Sequence, residues 1–195
     1  MPIVPIYLYG TQCTPQVGDG ALYHYTKYDT FLKILNSSSL KSSQLCKMND
    51  LNEADLSNLD WTRDFLMMWD AQNYIQTQCS LICFSQNYDV ESVCREGANH
   101  PAMWSHYADS HKGFCIEYDY SDLVVDDHTV LPLPVIYSDE RPLISWKAAL
   151  DNSPENVEEA VVQFTKGLLT KDNIWSYENE WRILIKATDV SDIPM

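Results

Sequence analysis

Aromatic and imidazole side chains are concentrated in residues 101–120, whose sequence is PAMWSHYADSHKGFCIEYDY. This stretch contains one tryptophan, three tyrosines and two of the chain's five histidines. Side chains of these types, gathered this closely, usually line a pocket or hold a difficult turn. Two distant segments, ALYHYTK at 21–27 and IWSYENEWRILI at 174–185, have the same character. We therefore predict that the three segments form the walls of one cleft, lined by His24, Tyr107 and Glu180.

Two carboxylates occupy alternate positions at the start of the last predicted strand. The period of two in a strand places Glu178, Glu180 and Arg182 on one face, opposite the apolar Trp181 and Ile183. Such a pair can be catalytic, because partial burial against aromatic rings raises the pKa of a glutamate, whereas a neighbouring arginine lowers it. The alternative is a solvent-facing strand on which a glutamate and an arginine form an ion pair.

The histidines and the serine of these segments also have two interpretations. His24 lies mid-strand between tyrosines, where a histidine is either a hydrogen-bonded core residue or a functional group. His106 and His111 are five residues apart and point to different sides of a helix, unlike the pair of an H-E-x-x-H zinc site. Ser85 ends a predicted buried strand, but no G-x-S-x-G elbow surrounds it. The sequence also contains no glycine-rich phosphate-binding motif.

The spacing of the six cysteines does not indicate a metal site, since no C-x-x-C pair is present. Cys79 and Cys83 share one face of a predicted strand, where they are about 13 Å apart and too distant to ligate one metal ion. We therefore predict free thiols and no bound metal.

The charge of the chain limits its classes of partner. The 195 residues carry a formal net charge of −15, with 13 Lys and Arg residues in total. Because binding to a nucleic-acid backbone requires clustered basic side chains, we expect no nucleic-acid partner. The acidity favours solubility or a basic partner protein. The opening MPIVPIYLYG has neither the charged start of a signal peptide nor a long apolar run, so we expect no membrane contact and a cytoplasmic protein with reduced thiols.

The elements that position these residues predict an α+β fold. We assign residues 21–195 to a single domain, preceded by an irregular arm rich in Pro and Gly at 1–20 with a short extended piece at Ile6–Tyr9. Residues 87–100 are predicted to form a loop. The predicted strands are 21–26, 40–45, 79–86, 113–120, 130–138 and 180–187. The predicted helices are one capped by Asp29 or Thr30, an amphipathic one within 48–70, one that begins at Pro101, and one at 153–171. Since strands and helices do not alternate regularly, we expect a mixed or antiparallel sheet, which can be split, with three or four helices.

Several motifs can be compared with known families. They are YHYT at 23–26 followed by LKIL, MND at 48–50, CFS at 83–85, MWSHYADSHKGFCIEYD at 103–119 and W-x-YENEWR at 175–182. Together they resemble a bacterial family, the domain of unknown function 2971, over residues 21–187. The 103–119 block is a highly specific part of this resemblance. The family name implies no activity.

The order of a His-bearing strand, a helix and a late Glu-bearing strand is similar to the ADP-ribosyltransferase superfamily. That resemblance implies an enzyme that cleaves NAD and transfers ADP-ribose to an unknown acceptor, with NAD as a substrate and no tightly bound cofactor. His24 would hold a ribose hydroxyl, Glu180 would stabilise the oxocarbenium-like transition state, and Glu178 would orient the acceptor. In that superfamily a trio of residues, either His-Tyr-Glu or Arg-Ser-Glu, binds NAD. The middle position of this trio corresponds to either Ser85 or Tyr107.

The residues expected to bind NAD are His24, Tyr25, Ser85, Trp104, His106 and Tyr107. The alternative function is a non-enzymatic module whose aromatic cleft binds a basic protein. Whether the chain forms oligomers does not follow from its sequence.

Overall fold

The structure is a computed structural model that describes residues 6–8, 11–13, 21–48, 73, 75–90, 93–95, 97–119, 124–125, 128–129, 132–140, 162, 165–186 and 192–194. The strands are β1 (Ile6–Leu8), β2 (Thr11–Cys13), β3 (Ala21–Thr26), β4 (Ser39–Lys41), β5 (Ser43–Gln44), β6 (Cys79–Ser85), β7 (Tyr88–Val90), β8 (Val93–Arg95), β9 (Phe114–Asp119), β10 (Val124–Val125), β11 (His128–Thr129), β12 (Leu133–Pro134), β13 (Ile136–Tyr137), β14 (Thr170–Lys171), β15 (Glu180–Lys186) and β16 (Asp192–Pro194). The helices are α1 (Tyr28–Ser37) and α2 (Pro101–Tyr107), together with 3-10 helices at Leu45–Lys47, Gly97–Asn99 and Asn173–Glu178. Residues 75–78 and 165–169 are also helical. This content confirms the predicted α+β class.

The main sheet has six strands in the order β12-β15-β6-β3-β9, with β5 added alongside β6. All of its strand pairs are antiparallel. The central strand is β6, whose sequence CSLICFS is apolar on both faces, as expected for a strand covered on both sides. It pairs with β15 along its whole length, from Ser85 opposite Glu180 to Cys79 opposite Lys186. Elsewhere β13 and β14 form a small parallel pair.

The alternating side chains of β3 contribute to two different layers, as its sequence predicts. Leu22 packs into the core on one side of the sheet, together with Ile82, Phe84, Trp181 and Ile183. The tyrosines of β3 face the other side, where they pack on Met103 and Ala108. Because α2 covers this second side, it brings the His- and Tyr-rich segment next to β3.

The sheet has a gap between β3 and β6. Within these two strands, both described in full, Tyr23 and Ser85 form the single register pair. In contrast, β3 pairs with β9 along all of its residues. On the same edge of β6, β5 joins at Ser80 and Leu81. Residues 82–84 therefore lie between two partner strands that meet β6 at its opposite ends.

The two helices begin at different kinds of signal. Pro101 starts α2 as predicted, and Nδ1 of His100 accepts a hydrogen bond from the backbone N–H of Met103 at 3.4 Å. The prediction that Asp29 or Thr30 caps α1 is wrong, because the helix already includes Tyr28 and its N-cap is Lys27, which makes no side-chain cap bond. The sequence rule fails here because β3 runs directly into the helix without a turn.

Three segments predicted from composition differ in detail. The extended piece predicted in the arm at Ile6–Tyr9 forms β1, which pairs with a second strand, β2, that was not predicted. The predicted loop at 87–100 contains the pair of β7 and β8. The strand predicted at 40–45 is divided into β4, β5 and the start of a 3-10 helix. The pairing of β7 with β8 satisfies backbone groups of a segment that was predicted to be a loop.

The predicted helix within 48–70 lies outside the described residues, apart from residue 48. Of the helix predicted at 153–171, the structure describes helical residues at 162 and 165–169, and the last two positions form β14. Within the described part of the chain, no helix is long and apolar enough to cross a membrane.

Candidate functional site

A cavity of ≈540 Å³ lies beside the gap in the sheet. Its walls come from β3, from β4 to the following 3-10 helix, from β6, from α2, and from the segment that leads into β15. Six of the residues predicted to act at a site line this cavity, namely His24, Tyr25, Ser85, Tyr107, Glu178 and Glu180. The three distant segments therefore meet at one place.

The two glutamates reach the cavity through a local change in the backbone. The 3-10 helix Asn173–Glu178 is capped at its N-terminus by Asp172, whose Oδ1 accepts the N–H of Ile174 at 3.0 Å. Asn179 then adopts a left-handed conformation with φ of 42°, which asparagine tolerates better than most residues. Its side chain also donates a hydrogen bond to the carbonyl of Asn87. This single residue caps the helix and connects it to β15, and both glutamates line the same cavity.

Glu178 and Glu180 form a buried network with two cations. Lys171 Nζ lies 2.6 Å from Glu178 Oε2 and 3.1 Å from Glu180 Oε2. Arg182 binds Glu180 through both Nε and Nη2, at 2.8 and 3.0 Å. The four side chains are between 1 % and 5 % exposed. Two positive and two negative charges thus balance where solvent cannot screen them.

The alternative of a solvent-facing strand with an exposed ion pair is wrong. Arg182 is 1 % exposed, and its Nη1 donates to the carbonyl of Leu168 at 2.7 Å. The prediction that Trp181 and Ile183 form an apolar face is confirmed, since both pack in the core. Both faces of β15 are therefore covered here.

The two carboxyls of the network have opposite pKa shifts. Burial raises the pKa of Glu180, but the charges of Arg182 and then Lys171 outweigh it and hold this pKa at about 2. Burial is also the largest influence on Glu178, and it raises the pKa of this carboxyl above its ordinary value of 4.5. The charge of Lys171 and the hydrogen bond from Tyr107 oppose that rise. Of the two carboxyls, Glu178 therefore becomes protonated at the higher pH.

Tyr107 and Ser85 hold Glu178 at two different atoms. The phenol of Tyr107 donates to Glu178 Oε1, which couples α2 to the lead-in of β15. The Ser85 hydroxyl donates to the main-chain carbonyl of Glu178 at 2.7 Å. Of the two residues considered for the middle position, Tyr107 contacts the carboxylate, whereas Ser85 contacts the backbone.

His24 spans the gap between β3 and β6. Its Nδ1 lies 3.0 Å from the carbonyl oxygen of Cys83. Because a carbonyl can only accept, Nδ1 carries the hydrogen and Nε2 is left as an acceptor. Burial lowers the pKa of the His24 imidazole below its ordinary value of 6.5, and the bond to Cys83 only partly offsets this. The ring is therefore neutral at pH 7, and no described residue forms a hydrogen bond with Nε2.

Three of the predicted binding residues have structural contacts outside the carboxylate network. Tyr25 donates through its hydroxyl to the carbonyl of Gly97 and contacts Trp104 edge to face, with ring centroids 5.4 Å apart. The indole of Trp104 donates to the carbonyl of Ala98 at 2.6 Å. His106 is exposed on α2, beside Tyr107 and Tyr177. Trp104 thus supports the wall of the cavity from behind, and His106 lies on its outer surface.

Sequence reasoning missed Lys171, the cation shared by the two glutamates. It lies at the end of the predicted helix 153–171, is 2 % exposed and has its Nζ 4.9 Å from the ring centroid of Trp175. Leu168 and Leu169, which precede Thr170 and Lys171, were the available signal of burial. Tyr137 was also missed, although its hydroxyl oxygen accepts the N–H of Glu180 at 2.8 Å.

The described residues contain neither a disulfide nor a cluster of metal ligands. Cys46, Cys79, Cys83 and Cys115 form no disulfide among these residues. Within the same part of the chain, no group of three or more His, Cys, Asp or Glu side chains is arranged to hold a metal ion.

Residues 103–183 match the family described as "Protein of unknown function (DUF2971)". This confirms the family resemblance predicted from the motifs for residues 103–183, which is part of the predicted range 21–187. The matched region contains Tyr107, Lys171 and both glutamates of the network, whereas His24 precedes it. No curated protein and no solved structure matches the chain.

Proposed function

We propose a function from the geometry of the cavity, because the family that residues 103–183 match is described without an activity. We propose an ADP-ribosyltransferase-like enzyme that cleaves the bond between nicotinamide and ribose in NAD and transfers ADP-ribose to an acceptor. The observation that carries this proposal is the convergence of His24, Tyr107 and Glu178 on one cavity. A neutral imidazole, a phenol and a carboxylate are the groups needed to hold a ribose and to stabilise positive charge on it.

The size and lining of the cavity favour a small molecule over a protein as ligand. A volume of ≈540 Å³ falls within the range of about 300–1,000 Å³ that is usual for small-molecule sites. Four lysines and two glutamates line it. A basic partner protein, which the net charge of −15 had suggested, would be repelled by these lysines.

His24 has the protonation state required to orient a ribose. Its Nδ1–H is engaged by the carbonyl of Cys83, so Nε2 can accept a hydrogen bond from a ribose hydroxyl. The anchoring bond also holds the ring in one orientation, which reduces the entropy lost when the sugar binds.

The surroundings of the two carboxylates favour different roles for them. Glu180 accepts three hydrogen bonds from Arg182 and Lys171, so much of its charge is already neutralised. Glu178 binds one cation, Lys171, and a neutral phenol, Tyr107. We therefore assign stabilisation of the ribosyl cation to Glu178, and anchoring of the cations to Glu180, to which sequence reasoning had given the catalytic role.

The reaction requires little more than electrostatic stabilisation. Nicotinamide leaves with the electron pair of its bond to ribose, because the positively charged pyridinium becomes neutral on departure. The ribosyl group then carries positive charge, which a carboxylate fixed nearby stabilises more strongly in the transition state than in bound NAD. A nucleophile of the acceptor or a water molecule forms the new bond and releases one proton.

The test is nicotinamide release from NAD by the purified full chain, with and without a bacterial lysate that supplies acceptors. We expect release above the uncatalysed rate and an increase of the melting temperature with NAD. A folded protein that releases no nicotinamide in either condition and shows no NAD-induced shift in melting would overturn the proposal. That result would favour the alternative, a binding module without catalytic activity.

A further inference from the structure

The cavity has a second polar region, formed by lysines on its solvent side. Lys27, Lys41 and Lys47 line the same cavity as the glutamates, but all three are exposed, whereas Lys171 is buried. We propose that these three lysines form a phosphate-binding subsite, and that the ligand of the cavity carries a phosphate or pyrophosphate group there. The subsite rests on the proposed function in one respect, namely that the ribose of the same ligand lies next to His24.

The three lysines come from separate elements of the fold. Lys27 follows β3, Lys41 ends β4 and Lys47 ends the 3-10 helix Leu45–Lys47. The gap in the sheet allows them to line one cavity, because β5 and β3 meet β6 at different ends and leave the space between them open. A cluster built from three elements is a property of the tertiary fold and not of a local basic run in the sequence.

The three lysines form a local positive region in an acidic chain, which has 28 acidic residues against 13 basic ones. Among the described residues, no carboxylate forms an ion pair with Lys27, Lys41 or Lys47, and the same holds for the exposed Lys33 and Lys112 outside the cavity. Three ammonium groups around one cavity repel each other, and a bound anion removes that repulsion.

The chemistry of lysine favours phosphate as that anion. An ammonium group is a compact charge with three donors on a flexible stem, and it binds phosphate oxygens without requiring one fixed geometry. In a chain with a net charge of −15, a local positive region also directs a small anion to the cavity. The buried end of the cavity offers His24 and Glu178, which suit a sugar, so the two ends together fit a phosphorylated nucleoside.

The test measures binding of inorganic pyrophosphate, ADP-ribose and nicotinamide riboside by calorimetry at low salt. The variant is Lys41→Gln with Lys47→Gln, and the matched control is Lys33→Gln with Lys112→Gln. The control changes the net charge equally at two exposed lysines outside the cavity lining. We expect the first variant to bind pyrophosphate and ADP-ribose about tenfold more weakly, since exposed ion pairs contribute modestly, while the control binds like wild type. Nicotinamide riboside, which has no pyrophosphate, should bind all three proteins equally.

The outcomes separate this subsite from the proposed function. Pyrophosphate affinity that is equal in wild type and the Lys41/Lys47 variant, or reduced equally in the control, overturns the subsite. If NAD is cleaved and its KM is the same in wild type and that variant, the subsite fails while the proposed function stands. If pyrophosphate binding depends on these lysines but NAD is never cleaved, the subsite stands and the proposed function fails.

Discussion

Tyr107 donates a hydrogen bond through its phenol to Oε1 of Glu178, a residue 71 positions further along the chain. The bond joins α2, which packs on β3, to the short helix that leads into β15. Because burial raises the pKa of Glu178 and this bond opposes the rise, Tyr107 helps to determine when the carboxylate is charged. The contact therefore connects the fold to the proposed chemistry.

The first prediction concerns the charge of Glu178. Glu178→Gln keeps the shape of the side chain but removes the charge that faces the ribosyl cation. We expect nicotinamide release to fall about 100- to 1,000-fold, as for the loss of one preorganised electrostatic contact, with a much smaller change in NAD affinity. The matched control is Glu117→Gln, an exposed position on β9 that should keep wild-type turnover. Equal release by the folded Glu178 variant and wild type would contradict the assignment.

The second prediction concerns the hydrogen bond from Tyr107. Tyr107→Phe removes a donor that stabilises charged Glu178, so the pKa of this carboxyl rises further. If catalysis needs the carboxylate, the acidic limb of the pH profile of kcat moves to higher pH, while rates well above that limb change less. The measurement is nicotinamide release across the pH range for both proteins. A proportional loss of rate at every pH would indicate that Tyr107 has a different role.

The third prediction concerns the stability provided by Glu180. Glu180→Gln leaves Arg182 and Lys171 buried without their shared partner, and removing one member of a buried pair typically costs about 3–5 kcal/mol. The pKa of Glu180 is about 2 in the folded state, below its ordinary value of 4.5. Its contribution is therefore present above pH 4.5 and is lost as the pH falls from 4.5 towards 2.

This third prediction is tested by urea unfolding of wild type and Glu180→Gln at several pH values. The difference in unfolding free energy should be large near pH 7 and should decrease steadily in acid. The exposed Glu117→Gln control should differ from wild type by no more than about 0.5 kcal/mol at neutral pH. A pH-independent difference would show that the charge of Glu180 is not what stabilises the fold.

The fourth prediction separates the two nitrogens of His24. His24→Asn can retain a donor near Nδ1 for the carbonyl of Cys83, but it has no acceptor at the position of Nε2. We expect KM for NAD to increase about tenfold, the usual effect of one lost hydrogen bond, with a small change in melting temperature. His24→Gln can place a polar group near Nε2 but loses the Cys83 bond. It should therefore show a small change in KM and a larger decrease in melting temperature. An unchanged KM in a folded His24→Asn protein would remove His24 from the binding site.

The fifth prediction concerns Gly97, which supports the wall formed by Tyr25. The hydroxyl of Tyr25 donates to the carbonyl of Gly97, and a Cβ added at this glycine would lie 2.7 Å from the backbone oxygen of Gln86. We therefore expect Gly97→Ala to destabilise the protein by about 1–3 kcal/mol through overpacking. Ser105→Ala, at an exposed position on α2, is the control. The measurement is thermal melting of both variants. Equal melting temperatures would contradict the close contact between Gly97 and the backbone of Gln86.

Local patterns were sufficient to predict the main strands and the residues that share a face. The run CSLICFS indicated a central strand, and the alternation in EWRILIK correctly separated Trp181 and Ile183 from Glu180 and Arg182. Pro101 likewise marked the start of α2. These features depend on neighbours a few residues apart, where the backbone period alone determines direction.

Periodicity could not determine what covers the polar face of β15. The sequence left open whether Glu180 and Arg182 face solvent, because exposure depends on which other segments pack against the strand. In the tertiary structure both side chains are buried. Lys171 donates a hydrogen bond to Glu180, and Arg182 donates one to the carbonyl of Leu168. The capping residues in the sequence likewise did not predict where α1 begins. The helix begins at Tyr28 because it follows β3 directly.

Composition and periodicity identified three segments rich in polar and aromatic groups on strands apolar enough to be buried, and predicted that the three form one cleft. Where they meet follows from the tertiary structure alone, which places them beside a gap between β3 and β6, with Lys27, Lys41 and Lys47 on the open side of the same cavity. The physical reason is that each segment's conformation follows from local backbone preferences. Their meeting depends instead on strand pairing and charge balance between residues far apart in the chain, which no local pattern encodes.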